Sequence, residues 1–121
     1  MIIYKKITHW RDLIYCKDYD LLHLAIKKNN IAQELNLFTW SKKSNADLLV
    51  VKIEKSKLET LIQGIYKNDF IQIAIPFADD ASIENAIHCW CVMLFLGIEN
   101  EIIKERMHYL SPVAMRLELK Q

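Results

Sequence analysis

The stretch LIYCKDYDLLHLAIKKNNIAQELNLFTW, from Leu13 to Trp40, decides the fold class of this chain. Its first four residues are a short apolar run, which predicts a buried strand. Asp18 is a suitable N-cap for a helix that continues to about Lys28, and Leu35 to Trp40 predicts a second strand. A strand, a helix and a strand within about 30 residues form a βαβ unit, so the two strands are expected to run parallel. The helix carries an apolar stripe of four residues: Leu21, Leu22, Ala25 and Ile26.

The middle of the chain predicts a small antiparallel sheet. Three strand candidates with short polar joints follow one another: Asp47–Glu54, Leu58–Tyr66 and Phe70–Phe77. The residues Lys67-Asn68-Asp69 are expected to form the hairpin turn between the last two candidates. In the third candidate, Ile71 and every second residue after it are apolar, which indicates a sheet with one packed face and one wet face.

Two helices are expected in the last third. Ser82 is the expected N-cap of a helix from Ile83 to Leu96, and Gly97 stands in the C′ position. Asn100 is expected to cap a second helix, which Pro112 ends. The apolar side of that helix consists of four residues: Ile102, Ile103, Met107 and Leu110.

A final strand is predicted from the alternation of apolar and polar residues between Val113 and Leu119. The chain stops at Gln121 without a terminating signal after that strand, which predicts a domain cut short. The predicted fold class is therefore α/β, with a short parallel βαβ unit, an antiparallel sheet of about three strands, two helices and a final strand.

Composition excludes several classes of protein. The 121 residues are 52% hydrophobic and 26% charged, which is typical of one globular domain. Sixteen basic and fifteen acidic residues leave a net charge of +1, so neither nucleic acid nor a membrane surface is an expected partner. The odd number of cysteines, three, and an N-terminus without the apolar core of a secretory signal predict a cytoplasmic protein with reduced thiols.

Two polar clusters have ordinary explanations. His88, Cys89 and Cys91 are close in sequence, but a Cys-x-Cys pair on a helix points its thiols in divergent directions, so core packing is favoured over a zinc site. Asp79 and Asp80 are expected to form a solvated turn before a helix. No metal ligand is predicted.

Asn85 and Arg116 are the candidate binding residues. Asn85 is expected in the first turn of a mostly buried helix, where its amide can offer a donor and an acceptor to a base edge. Arg116 is expected on the outer face of the final strand, where a guanidinium suits ribose or phosphate oxygens. The structural alternatives are a helix cap or a satisfied buried amide for Asn85, and a salt bridge, for example with Glu118, for Arg116.

The end of the chain resembles the central, ATP-binding domain of the Mur ligases, the enzymes that add amino acids or a dipeptide to UDP-N-acetylmuramic acid. The resemblance rests on matches in order along the last 45 residues: Asn85, Leu96-Gly97-Ile98, Pro112 and Arg116-Leu117-Glu118. The local sequence around Asn85 and Arg116 is most similar to the Mur ligases that add D-alanyl-D-alanine, including forms fused to alanine racemase. Asp79–Ser82 replaces the Gly-x-His-Asn that often precedes the helix in this family.

The resemblance implies that Asn85 contacts the adenine of ATP and Arg116 its ribose-phosphate part. It also implies a parent reaction with ATP and Mg²⁺ as cofactors, in which a UDP-MurNAc-tripeptide is activated as an acyl phosphate and attacked by D-Ala-D-Ala. The expected partners are these two substrates and the rest of the ligase chain.

Part of the family pattern is missing from this sequence. It contains only two glycines, Gly64 and Gly97, and no G-x-x-x-x-G-K-[ST] loop to hold the β- and γ-phosphates. We therefore expect the chain to be inactive alone and to bind no cofactor tightly. We also expect its cut sheet to dimerise through exposed strand edges.

Two other functions remain open from the sequence. The first is a standalone interaction module whose antiparallel edge, near Asp47 to Glu54, pairs with a partner strand. The second is a nucleotide sensor that retains the adenine pocket but performs no catalysis.

Overall fold

A computed structural model of the chain describes residues 12–28 and 36–110. The described residues form one mixed five-stranded sheet in the order β1-β2-β3-β4-β5, together with three helices. The α/β class predicted from the sequence is confirmed. The elements are β1 (Asp12–Cys16), α1 (Asp20–Lys28), β2 (Asn36–Ser41), β3 (Leu48–Lys55), β4 (Thr60–Tyr66), β5 (Asp69–Ile75), α2 (Asp80–Phe95) and α3 (Asn100–His108).

The predicted βαβ unit is present, because β1 and β2 pair in parallel along their lengths. β2 is also parallel to β3, although only loop 42–47 joins them. A parallel connection usually needs a dozen residues or more. Here the end of β2 overlaps only the beginning of β3, at Trp40 with Leu48 and Ser41 with Leu49, so the loop returns only a short distance. This stagger joins the parallel and antiparallel parts, which the sequence predicted as separate units, into one sheet.

The three antiparallel strands are confirmed as β3, β4 and β5. Lys67 and Asn68 form the hairpin turn with φ angles of 50° and 67°, as a two-residue connection between twisted strands favours. A bulge interrupts the register of β3 between Val50 and Lys52. The sequence predicted an exposed sheet edge near Asp47–Glu54. That prediction is wrong for the start of β3, because β3 is the third strand of five and its first two residues pair with β2.

α2 begins earlier than the sequence predicted. Asp79 is its N-cap, with its carboxylate accepting a hydrogen bond from the Ser82 backbone N–H at 2.9 Å, so the prediction of Ser82 as the cap is wrong. Both residue types are good caps, and the choice follows from the extended backbone at Asp79. Gly97 is confirmed in the C′ position with φ of 80°, where the N–H groups of Gly97 and Ile98 close a Schellman motif on Leu94 and Met93.

Asn100 anchors α3 to its neighbours, but it is not the N-cap that the sequence predicted. Glu99 is the N-cap, while the Asn100 side chain accepts a hydrogen bond from Trp90 Nε1 at 2.8 Å and donates to the Gln72 carbonyl at 3.3 Å. These bonds join α2, α3 and β5. Of the predicted apolar side, Ile103 and Met107 are buried and Leu110 packs against the core, but Ile102 is exposed. Pro112 and the predicted strand Val113–Leu119 lie outside the described residues.

The core lies between one face of the sheet and helices α2 and α3. Its largest fully buried residues include Trp40, Leu48, Ile62, Ile73, Ile87, Trp90 and Ile103. α1 lies on the opposite face, because Ile14 and Cys16 face this core while Tyr15, between them in β1, bonds to His23 of α1. Of the predicted α1 stripe only Ile26 is buried, whereas its other three members, Leu21, Leu22 and Ala25, are exposed.

Candidate functional site

An open groove of about 700 Å³ lies where the chain leaves β2 and β3, beside the N-terminus of α2. Six residues line this strand-end groove: Lys42, Ile53, Lys55, Asp80, Ile83 and Glu84. In open α/β sheets, ligands bind outside the carboxyl ends of parallel strands. β2 and β3 run parallel, so the groove occupies the position where such a fold binds its ligand.

The loop after β2, which forms one wall of the groove, is fixed by the carboxylate of Asp18. Asp18 accepts hydrogen bonds from the buried Ser41 hydroxyl at 2.5 Å and from the Lys42 backbone N–H at 2.8 Å. The Ser41 hydroxyl in turn accepts from the N–H groups of Lys43 and Ser44, both at 3.0 Å. α1 begins two residues later, at Asp20, so Asp18 binds the next strand's loop instead of serving as the predicted helix cap.

The other wall of the groove is the first two turns of α2, whose charges are largely paired. Asp80 forms an ion pair with Lys55, and that hydrogen bond lowers the pKa of the Asp80 carboxyl. The Tyr19 hydroxyl donates to the Glu84 carboxylate, which raises the pKa of Tyr19 to about 12. This bond connects the loop after β1 to α2. The groove is therefore polar and balanced in charge, with Lys42 exposed at its edge.

Asn85 lies next to this wall, one residue after Glu84. It is the sixth residue of α2 and therefore lies in the second turn, not the first as predicted, because the helix begins at Asp80. The side chain is partly buried, and its amide makes no hydrogen bond to any other residue that the structure describes. A helix cap is excluded because Asp79 has that role. An amide has two donors and an acceptor, and Asn85 uses none of them on the residues that the structure describes.

Arg116, the second predicted binding residue, lies outside the described residues. The structure therefore does not test whether Asn85 and Arg116 come together. The sequence also missed Asp18, Ser41 and Lys42 as parts of the site. A signal for them existed, because all three follow predicted parallel strands, but their polar residue types are equally typical of surface loops.

Of the cluster of His88, Cys89 and Cys91 on α2, Cys91 is fully buried in the core and Cys89 packs against it, as core packing predicts. Burial lowers the pKa of His88 and raises that of the Cys91 thiol well above its usual value, as expected for neutral groups in a core. Cys16, Cys89 and Cys91, which all lie within the described residues, form no disulfide. Within residues 12–28 and 36–110 there is no group of three His, Cys, Asp or Glu side chains arranged to hold a metal ion.

Comparison with known proteins gives matches in fold but not in sequence. No family model matches the chain, and no curated protein matches it. Among solved structures, MurF from Acinetobacter baumannii matches 83% of this chain with a TM-score of 0.66 and 17% identity. The chain covers 21% of that protein. The fold resembles part of a Mur ligase domain.

Two other solved structures agree with this fold. A UDP-N-acetylmuramoyl-L-alanyl-D-glutamate–2,6-diaminopimelate ligase matches 84% of the chain with a TM-score of 0.70 and 16% identity, over 21% of its own length. MurF from Thermotoga maritima in complex with ADP matches 84% with a TM-score of 0.58 and 14% identity, over 23% of its length. The chain thus spans about a fifth of the length of these Mur ligases.

None of the helices within residues 12–28 and 36–110 is both long enough and apolar enough to cross a membrane.

Proposed function

We propose that this chain is the C-terminal part of the central, ATP-binding domain of a Mur-type ligase of peptidoglycan precursor synthesis. One observation carries the proposal: the partly buried Asn85, whose amide has no partner among the described residues, lies beside the strand-end groove of a sheet with the fold of Mur ligases. The family resemblance of the sequence points to this same asparagine, on grounds independent of the groove.

Asn85 would hold the adenine edge, since an amide can pair with an acceptor and a donor of the base at once. Arg116 would contact the ribose-phosphate part. Within the described ranges no group of three His, Cys, Asp or Glu side chains is arranged to hold a metal ion. The phosphates and Mg²⁺ would be held by other parts of the ligase, where ATP supplies the energy of amide-bond formation.

The reaction that we propose for the whole ligase is the addition of D-Ala-D-Ala to a UDP-MurNAc-tripeptide in the cytoplasm. Its support is the similarity of the residues around Asn85 and Arg116 to the ligases that add D-Ala-D-Ala, whereas the solved structures, which include both MurF and a diaminopimelate-adding ligase, support the ligase fold. In this arrangement the 121-residue chain is one wall of the nucleotide site and has no ligase activity alone.

A nitrogen–proton NMR titration of the chain with ADP tests this proposal. We expect shifts confined to the first two turns of α2 and to loop 42–47, with a dissociation constant weaker than about 1 mM, or roughly 4 kcal/mol. Asn85→Ala should abolish these shifts. Asn36→Ala, which removes the same amide at the far end of β2, is the matched control and should leave them unchanged.

Two outcomes would count against the proposal. Shifts that persist in Asn85→Ala would remove the asparagine from the nucleotide site. Binding tighter than about 1 mM by the isolated chain would instead favour a standalone nucleotide sensor.

A further inference from the structure

Two acidic side chains line the strand-end groove, and they differ in their partners. Asp80 is 91% exposed and forms an ion pair with Lys55. Glu84 is half-buried, and its Oε1 atom accepts the hydrogen bond from the Tyr19 hydroxyl. Within residues 12–28 and 36–110 this is the one hydrogen bond to the Glu84 carboxylate, although an ionised carboxylate has about four acceptor sites.

The chemistry of the Glu84 carboxylate restricts the ligand group that can lie against it. An ionised carboxylate only accepts hydrogen bonds, so a neutral group beside it has to be a donor. A carbonyl oxygen in the same place would meet a second acceptor, and would lose its bond to water without gaining another. The Tyr19 bond ties this side chain to the loop after β1, which fixes its position at the groove. Glu84 therefore favours an N–H group over a carbonyl oxygen.

Glu84 directly precedes Asn85, the residue proposed above to hold the adenine edge. The Cα atoms of consecutive residues are about 3.8 Å apart, and in a helix they lie about 100° apart around the axis. The two side chains therefore start close together and approach a base from different directions. The exocyclic amine of adenine has two N–H donors next to a ring nitrogen that accepts. The Asn85 amide uses one of these donors, which leaves the other for a carboxylate.

We propose that Glu84 is a specificity residue that selects 6-aminopurine nucleotides over 6-oxopurine nucleotides. This inference rests on the proposed function, because it requires a purine nucleotide in the groove. The Glu84 carboxylate accepts the second N–H of the adenine amine, while Asn85 pairs with the first N–H and with the ring nitrogen. Tyr19 is a positioning residue that orients Glu84 through its hydroxyl. Guanine and hypoxanthine have a carbonyl oxygen where adenine has its amine, and the carboxylate disfavours that oxygen.

A comparison of ADP with inosine diphosphate tests the proposal, because inosine diphosphate has a carbonyl oxygen in place of the amine. Nitrogen–proton NMR titrations measure the affinity of the chain for each nucleotide. We expect the wild-type chain to bind ADP about tenfold more tightly. In Glu84→Gln, whose amide both donates and accepts, this preference should fall to about threefold or less. Glu101→Gln makes the same change at an exposed glutamate in the first turn of α3, and should leave the preference unchanged.

The ratio of the two affinities separates base recognition from other effects of the variant. Glu84→Gln removes a negative charge, which strengthens the binding of both diphosphates alike and leaves their ratio unchanged. A loss of structure would weaken both alike, and the nitrogen–proton spectrum reports that loss directly. Tyr19→Phe retains the carboxylate but removes the hydroxyl that orients it. It should therefore lower the preference for ADP by less than Glu84→Gln does.

Two results would overturn the role given to Glu84, and they differ in what they say of the proposed function. If Glu84→Gln keeps the wild-type preference for ADP while Asn85→Ala abolishes the shifts, Glu84 takes no part in base recognition but the nucleotide site stands. If neither nucleotide shifts the groove residues of the wild-type chain, the nucleotide site and the role of Glu84 fall together. A preference that falls in Glu84→Gln and persists in Glu101→Gln supports the proposal.

Discussion

Asp18→Ala is expected to loosen the loop that forms one wall of the strand-end groove. In the wild-type chain, this carboxylate accepts hydrogen bonds from the Ser41 hydroxyl and the Lys42 backbone N–H. The variant leaves both donors without their acceptor. Lys42 is exposed, so water replaces its lost bond, but Ser41 is fully buried and its hydroxyl has no access to solvent.

The expected loss of stability follows mainly from Ser41. A buried polar group left unsatisfied costs about 1–3 kcal/mol, and bonds to charged acceptors lie in the upper part of that range. We therefore expect the free energy of unfolding to fall by about 2 kcal/mol. Urea denaturation measures this loss. Hydrogen exchange should accelerate at Lys42, Lys43 and Ser44, whose N–H groups bond to Asp18 or to the serine that Asp18 orients.

The control and a double-mutant cycle make the prediction specific. Asp20→Ala removes a neighbouring exposed carboxylate in the first turn of α1 and should cost much less. Asp18→Ala and Ser41→Ala should couple by at least about 0.5 kcal/mol, because they share one hydrogen bond. Additive effects, or exchange rates in this loop equal to those of the wild type, would refute the role given to Asp18.

Four further changes have defined expectations. Gly64→Ala should destabilise the chain by about 1–3 kcal/mol in thermal unfolding, because the new Cβ would lie 2.9 Å from Leu48 Cδ1. Burial lowers the pKa of His88 in the folded chain, so the unfolded chain binds the proton at a higher pH. The free energy of unfolding should therefore fall as the pH drops below about 6.5, the pKa of an unfolded histidine. Urea denaturation across this pH range should show a smaller fall in His88→Gln. An ultraviolet titration should show a tyrosine ionising near 12, and Tyr19→Phe should remove it. Asn85→Ala should leave the free energy of unfolding unchanged or raise it by about 0.5 kcal/mol, because alanine has the better helix propensity; a loss above 1 kcal/mol in urea would instead indicate a structural role.

Local sequence patterns predicted most of the elements but few of the contacts between them. The βαβ unit, the hairpin at Lys67-Asn68 and the C-terminal glycine of α2 follow from periodicity and turn chemistry, and all three are confirmed. The junction between the parallel and antiparallel parts was missed. It depends on an overlap of two residues between β2 and β3, which no local pattern encodes.

The roles of the polar side chains were harder to predict, because each side chain can form several alternative hydrogen bonds of similar energy. Asp18, Ser82 and Asn100 were all assigned as caps from their residue types. Asp18 binds the next strand's loop, Ser82 lies in the first turn of α2, and Asn100 bonds to Trp90 and to β5. The choice depends on which backbone groups tertiary packing brings within reach. The exposed leucines of α1 were missed for a related reason, since a stripe on a short helix does not show which side faces the sheet.

The hydrogen bonding of the Asn85 amide differs from that of a structural asparagine in the same fold. A partly buried amide normally finds a partner, because leaving it unpaired costs free energy. Asn100, on the neighbouring helix, shows the ordinary case, with one bond accepted and one donated inside the fold. Asn85 has no such bonds to the described residues, and it lies beside the strand-end groove. The adenine contact that we propose would use both the donor and the acceptor of this amide, whereas helix propensity alone favours alanine at this position.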